Sequence, residues 1–326
     1  MDVSKVEYRL VNKSHIQKLE KKITAHKKEI VVKVKAVGVC MTDCLNYKYK
    51  NNNYFGHELV GEVLTPFSSF KKGDNVVILH RYSCGTCISC KQAQFHLCKN
   101  SKNTDTCFSN YLVLDERAAS KSFYRIPEGT DNRLSEFAYT DSLACVLHAL
   151  KKVDLSKTEH ILILGNGFMS LLFYYALTLI YKKRAKIVGS NKKKQNLISR
   201  SLKIEQLECG QLNEQHFDLC IDTAGQSKLV SQILVYLKPS SSFLCFSGVN
   251  SIGELFTLNY LRNNEINITF SKHTNPASIN EAISIIDSEL LPLKKIITPF
   301  QPASKLEGII NKTLQNEIIR GGVLIE

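Results

Sequence analysis

Two short stretches carry residues of the kind that hold a metal ion. V37-G-V-C-M-T-D43 offers the Cys40 thiolate, and Y54-F-G-H-E58 offers the His57 imidazole and the Glu58 carboxylate. Thiolate, imidazole and carboxylate are the donor mix that zinc prefers, and three protein ligands leave one tetrahedral position open for substrate. A glycine precedes each stretch's ligands, Gly38 and Gly56, and is expected to let the backbone turn so that the side chains converge. A second cluster, C84-G-T-C-I-S-C-K-Q-A-Q-F-H-L-C98, spaces Cys84, Cys87, Cys90 and Cys98 by two, two and seven residues. Four thiolates fill a tetrahedron and leave no open position, so this spacing predicts a structural zinc. A ferredoxin-type cluster would want a shorter last gap followed by Pro, whereas Lys99 follows here.

These groups need elements to hold them. Ile30–Cys40, Leu59–Leu64 and Asn75–Leu79 read as strands, with the turn K71-K-G-D74 between the last two. The first part of the chain is therefore β-rich, a partly open barrel. From H160-I-L-I-L-G-N-G-F-M-S170 the pattern changes: a buried strand runs into a glycine turn and then into a helical stretch. In that setting Gly165 makes the turn, Gly167 lets the backbone approach a pyrophosphate, and Phe168 and Met169 offer amides at the helix N-terminus. Ser170 stands where the third glycine of such a fingerprint falls, a departure expected to reduce helix–strand closeness. The next strand, A185-K-I-V-G-S-N191, ends without the acidic residue that holds a ribose 2′-hydroxyl. It gives instead Ser190, Asn191 and Lys192 to Lys194, cations that a 2′-phosphate would neutralise, so NADP(H) is expected, with NAD possible. F217-D-L-C-I-D222, a helix from Ser227, S242-F-L-C-F246 and N267-I-T-F270 complete a doubly wound sheet.

With 326 residues, two domains are expected. Eleven cysteines in a long chain whose first residues lack a signal-peptide pattern point to metal ligation and buried thiols, and to a cytoplasmic protein. No apolar run is long enough to span a bilayer, so no membrane partner is expected. The net charge of +13 is spread in lysine pairs without aromatic interleaving, which predicts a solvated surface and no nucleic-acid partner. No internal repeat or low-complexity tract appears.

G38-V-C-M-T-D43, G56-H-E58, V60-G-E-V63, K72-G-D-N-V-V77 and the cysteine lobe together resemble the zinc-dependent medium-chain alcohol dehydrogenases. D141-S-L-A-C-V-L-H-A149 is similar to the Glu-Pro-Leu-Ala-Cys segment of the polyol (sorbitol dehydrogenase-like) members. The resemblance implies a GroES-like catalytic domain over residues 1–143, with the lobe at 84–98, a Rossmann cofactor domain over 144–272, and a return to the catalytic domain over 273–326. It implies a catalytic and a structural zinc, hydride transfer between the nicotinamide and a polyol, sugar alcohol or other secondary alcohol, and a homodimer or homotetramer. By resemblance Asp141 is the further zinc ligand, with Cys145 the alternative where cinnamyl-type aldehyde reductases supply a cysteine. Thr42 resembles the hydroxyl that starts a proton relay, whose usual histidine is here Leu45. Cys40 and His57 lie 17 residues apart, a short spacing, and in the loop N46-Y-K-Y-K-N-N-N-Y54 the residues Tyr47, Lys48 and Lys50 are read as solvated, with contact to a hydroxylated or phosphorylated substrate as the alternative. Arg320 is read as a surface residue, with the cofactor pyrophosphate as its alternative partner. Two other readings are an NADPH-dependent aldehyde reductase of the cinnamyl type and a non-catalytic NADP(H)-binding zinc protein.

Overall fold

A computed structural model describes residues 1–49, 55–104, 108–204, 206–212, 216–247 and 258–325. The chain divides into two compact units: Met1–Ser142 with Asn275–Glu289 and Ile297–Glu326, and Leu143–Thr274 with Leu290–Ile296. The short piece Leu290–Ile296 groups with the second unit, although the expectation assigned all of 273–326 to the first.

The first unit opens on a hairpin, β1 (Asp2–Asn12) and β2 (His15–Thr24), which the alternation of apolar residues did not reveal. Its inward face carries the buried Lys5 and Glu7, joined by an ion pair of 3.5 Å. The main sheet is built from β3 (Glu29–Val39), β4 (Glu58–Val63), β5 (Asn75–Leu79), β6 (Tyr111–Asp115) and β7 (Phe123–Arg125). β3 is buried along most of its length because its two faces both pack, one against the main core and one, through Val31, against Val3 and Ala25. The later strands β14 (Gln301–Pro302) and β15 (Gly321–Leu324) close the far side, giving the order β14-β15-β3-β4-β5-β7, with β6 also pairing β3.

Register brings the site together. Gly38 of β3 lies opposite both Glu58 of β4 and Gly322 of β15. A Cβ on Gly38 would come within 2.8 Å of both the Glu58 Oε2 and the Tyr139 ring, so glycine is needed there for clearance and not for a turn. Gly56 is the residue that turns, with φ +79.

Residues 46–49 belong to α1 (Met41–Tyr49) and not to a loop. Cys44 and Tyr47, three apart, bury into the core, so Tyr47 packs inward while Lys48 lies over the Tyr49 ring. Lys50 and the remainder of the expected loop lie outside the described residues.

The second unit is a six-stranded parallel sheet of β8 (Ile161–Leu164), β9 (Ala185–Val188), β10 (Gln206–Leu207), β11 (Phe217–Asp222), β12 (Leu237–Cys245) and β13 (Asn267–Phe270), in the order β10-β9-β8-β11-β12-β13. That is a doubly wound sheet whose strand order reverses at β8, where ligands bind in such sheets. Its central strand β8 is the continuous apolar run I161-L-I-L164, buried on both faces. No helix among the described residues is long and apolar enough to cross a membrane.

Candidate active site

β3 delivers Cys40 to the start of α1, and the end of the 40–57 connection delivers His57 to the start of β4. Asp43, fully buried in the first turn of α1, fastens the two together. Its Oδ2 accepts the Cys40 amide at 2.8 Å, reaching back as a capping-box acid does, while its Oδ1 accepts the Gly56 amide at 2.8 Å. The same Oδ1 lies 3.4 Å from His57 Nδ1, which turns the other imidazole nitrogen toward donors. Burial would push the Asp43 carboxyl up, but His57 and the two amides outweigh it and hold it below its ordinary value.

One ligand atom each from Cys40, His57 and Glu58 lies within 4.8 Å of the others. Burial raises the Cys40 thiol, yet Arg320 and His57 more than offset that and hold it below its ordinary value. Burial alone would lower the His57 pKa, but Asp43 and Cys40 carry it well above the imidazole value. Thr42 Oγ1 stands 3.8 Å from Cys40 Sγ, and the His80 ring lies edge-on to His57 at 5.1 Å. This donor chemistry fits a zinc ion.

Glu58 is differently engaged. Arg320 Nη2 donates to both its oxygens at 2.5 and 2.6 Å, and Ser142 Oγ donates to Oε1 at 2.5 Å. Arg320 is 4% exposed and its guanidinium lies 5.5 Å from the Tyr139 ring centroid, while Tyr139 donates its hydroxyl to Gly321 O. Arg320 is therefore not the surface residue expected, and its charge, buried and spent on Glu58, is not offered to a cofactor pyrophosphate either. Asp43, Ser142, Tyr139, Arg320 and His80 were not assigned these parts from sequence, since each lies away from its partners along the chain or lacks a motif.

Asp141, in the first turn of α2 (Thr140–Leu150), does not join the set of donors within 4.8 Å. Burial pushes its carboxyl up to about 6, with His57 opposing and Glu58 adding. Cys145, further along α2, falls in the second unit. A carboxyl raised from 3.8 to about 6 gives its full contribution to stability below pH 4 and loses it as pH rises through 6. An Asp141→Asn variant escapes that loss, which amounts to about 3 kcal/mol at most. Thermal unfolding of metal-stripped protein is expected to show the variant gaining on the wild type at about pH 8 relative to about pH 5; equal gaps at both would overturn this.

The four lobe sulfurs approach at 3.9 Å (Cys84–Cys90), 3.5 Å (Cys87–Cys90) and 3.7 Å (Cys87–Cys98). A tetrahedron with zinc–sulfur bonds of about 2.3 Å has edges of about 3.8 Å, so the lobe fits zinc. The Thr86 amide and hydroxyl and the Cys87 amide point at Cys84 Sγ and hold that thiol down at about 5. Arg117 and Lys121 donate to the carbonyls of Cys84 and Ser83, setting cations beside the thiolates.

In the second unit, Gly165 follows β8 with φ +109, and a Cβ there would meet Thr223 Oγ1 at 2.6 Å. Gly167 caps α3 (Phe168–Tyr175), so the Phe168 and Met169 amides open that helix. Ser170 does not loosen the turn as expected: its buried hydroxyl accepts the Gly167 amide at 3.2 Å and pairs with Thr223 Oγ1 at 2.7 Å. Asn166, unremarked in sequence, ties the turn to the end of β9 by donating to Asn191 O at 3.0 Å. Asn191 caps α4 (Lys192–Leu202) by accepting the Lys194 amide at 3.0 Å. Ser190 Oγ is 3.3 Å from Gln226 Oε1, and Lys194 Nζ lies 3.9 Å from where a Gly167 Cβ would stand.

A β-rich unit bearing Cys40, His57 and a four-thiolate lobe, and a doubly wound unit with a glycine turn at its switch point, define an alcohol or polyol oxidoreductase. Residues 26–127 match the alcohol dehydrogenase GroES-like domain. The chain is similar to sorbitol dehydrogenase of Halalkalibacterium halodurans (25% identical over 91% of this chain and 92% of that protein) and to D-arabitol-phosphate dehydrogenase of Enterococcus avium (24%, 91% and 90%). The structure of Escherichia coli L-idonate 5-dehydrogenase matches over 99% of both chains with a TM-score of 0.86 at 17% identity. Over its length the chain is thus similar to zinc-type polyol dehydrogenases, with an alcohol dehydrogenase GroES-like domain in its first part.

Proposed function

We propose that this protein interconverts a polyol or sugar alcohol and its ketone with NADP(H), using a zinc ion held by Cys40 and His57. The observation that carries the reading is the Cys40–His57 donor pair fastened by the buried Asp43. Zinc bound there supplies Lewis-acid polarisation of the substrate oxygen, and a bound nicotinamide supplies the hydride acceptor or donor. The chain's own residues do the rest. Asp43 fixes the tautomer and tilt of His57. Thr42, beside Cys40 Sγ, holds the substrate's hydroxyl proton at its Oγ1, and with Leu45 exposed the proton leaves through solvent. Glu58, its charge met by Arg320, stands beside the Cys40–His57 pair, and Asp141 adds a further acid on which His57 and Glu58 act. The lobe cysteines hold a structural zinc. The polyol assignment draws support from relatives named for sorbitol and D-arabitol phosphate.

The cofactor reading rests on the absence of an acid after β9 together with Lys194 beside Gly167. Gly165, Gly167 and the Phe168 and Met169 amides take the pyrophosphate, while Ser190, Asn191 and Lys194 take the 2′-phosphate. Zinc-loaded protein with sorbitol is expected to reduce NADP faster than NAD. An Asn191→Asp variant keeps the cap on α4 but sets a carboxylate against the phosphate. It is expected to shift the NADP/NAD ratio of kcat/KM at least about tenfold toward NAD; an unchanged ratio sinks the NADP assignment.

A further inference from the structure

At the amino ends of the parallel strands, the end of the sheet remote from the glycine turn, the second unit contains a cleft of about 1000 Å³. A volume of this order suits a ligand of nucleotide size. Its lining has two chemistries. Arg184 and Lys186 at the start of β9 and Lys238 at the start of β12 supply three cations, His160 and His216 add imidazoles, and Glu159 is the acid among them. The partly exposed Tyr174 ring, contributed by α3, supplies an aromatic surface, while Ile161 and Phe217 are 1% and 2% exposed and only back the cleft.

The protein already stations one anion at this end. Asp218 Oδ2 accepts the Glu159 and His160 amides at 3.0 and 2.9 Å, and its Oδ1 pairs with Lys238 at 2.7 Å. Burial would raise that carboxyl, but Lys238 and the amides outweigh it and keep it below the ordinary value. Arg184, Lys186 and Lys238 gather at this end, and with Lys238 met by Asp218 the other two leave positive charge for a bound anion.

We propose that this cleft binds a nucleoside polyphosphate, its base on the Tyr174 ring and its phosphates on Arg184 and Lys186. An aromatic ring carrying a multiply charged tail satisfies both linings at once, whereas a simple anion uses only the rim and a simple aromatic only the floor. The site is separate from the cofactor turn and does not depend on how that turn is read.

Equilibrium dialysis of labelled ADP against the zinc-loaded full chain, saturated with NADPH, tests it. About one ADP is expected to be retained per chain, more tightly than adenosine or inorganic triphosphate. An Arg184→Glu/Lys186→Glu variant, both positions being exposed, is expected to weaken retention at least about tenfold while its unfolding midpoint and its KM for NADPH stay unchanged. Complete displacement of ADP by NADPH, retention indifferent to the double charge reversal, or triphosphate held as tightly as ADP would each overturn the proposal. Because the variant reads the cleft alone, a protein that failed to bind NADPH would still report on it.

Discussion

A Cys40→Ser variant is expected to keep its fold and turn substrate over about 10³-fold more slowly, or worse. The hydroxyl of serine remains protonated at neutral pH and is a poor zinc ligand, so the metal at the Cys40–His57 pair is lost while the ion in the four-cysteine lobe is retained. Metal analysis should therefore fall from about two zinc ions per chain to about one. The thermal midpoint should change little, because Cys40 is only half-buried and the Asp43 contact that orders the segment is to its backbone amide. Asp43 keeps its other hold as well, the Gly56 amide. A variant that lost both ions, or that kept full turnover with one, would remove Cys40 from the site.

The largest effect on stability is expected from Arg320→Met. Glu58 is 2% exposed and its charge is met by Arg320, with Ser142 completing the set. Removing one partner of a buried pair strands the other, at a cost of about 3–5 kcal/mol, a large fraction of the total stability of a domain. The variant should lose several degrees of thermal midpoint or fail to accumulate. Arg320→Met/Glu58→Gln distinguishes a stranded charge from simple loss of packing. The introduced amide keeps an acceptor for Ser142 and carries no charge, so the double variant should recover most of the loss. If Arg320→Met alone unfolds within about 1 kcal/mol of the wild type, the ion pair is not what holds this region.

The parts of this molecule legible in the sequence are those in which chemistry is local. The cysteine spacing of the lobe needs no distant partner, and its sulfurs do converge. The strand–glycine–helix passage at 161–175 is likewise local, and the strand order around β8 follows. Cys40 and His57 were readable because thiol and imidazole are scarce and chemically distinctive. What sequence could not supply is the set of groups around them. Arg320 meets Glu58 only because β15 pairs with β3 and β3 with β4, a register that no motif announces. Asp43 looks like an ordinary helix-start acid until Gly56 is folded against it. The opening hairpin hid for a related reason: Lys5 and Glu7 point inward, so the apolar alternation that marks a strand is broken on the face that is buried. Tyr47, in contrast, misled through its polarity, since its spacing from Cys44 already described an inward helical face.

The Glu58–Arg320 pair spans 262 positions. During synthesis the glutamate leaves the ribosome long before its guanidinium partner, at a pace of about 5–20 residues per second. For that interval the strand segment carrying Glu58 must tolerate water or a chaperone against it, because sealing an uncompensated carboxylate into the barrel is unfavourable. The strand that follows Arg320 therefore acts as a delayed latch, and mature packing around the metal-binding end waits on translation of the whole intervening chain.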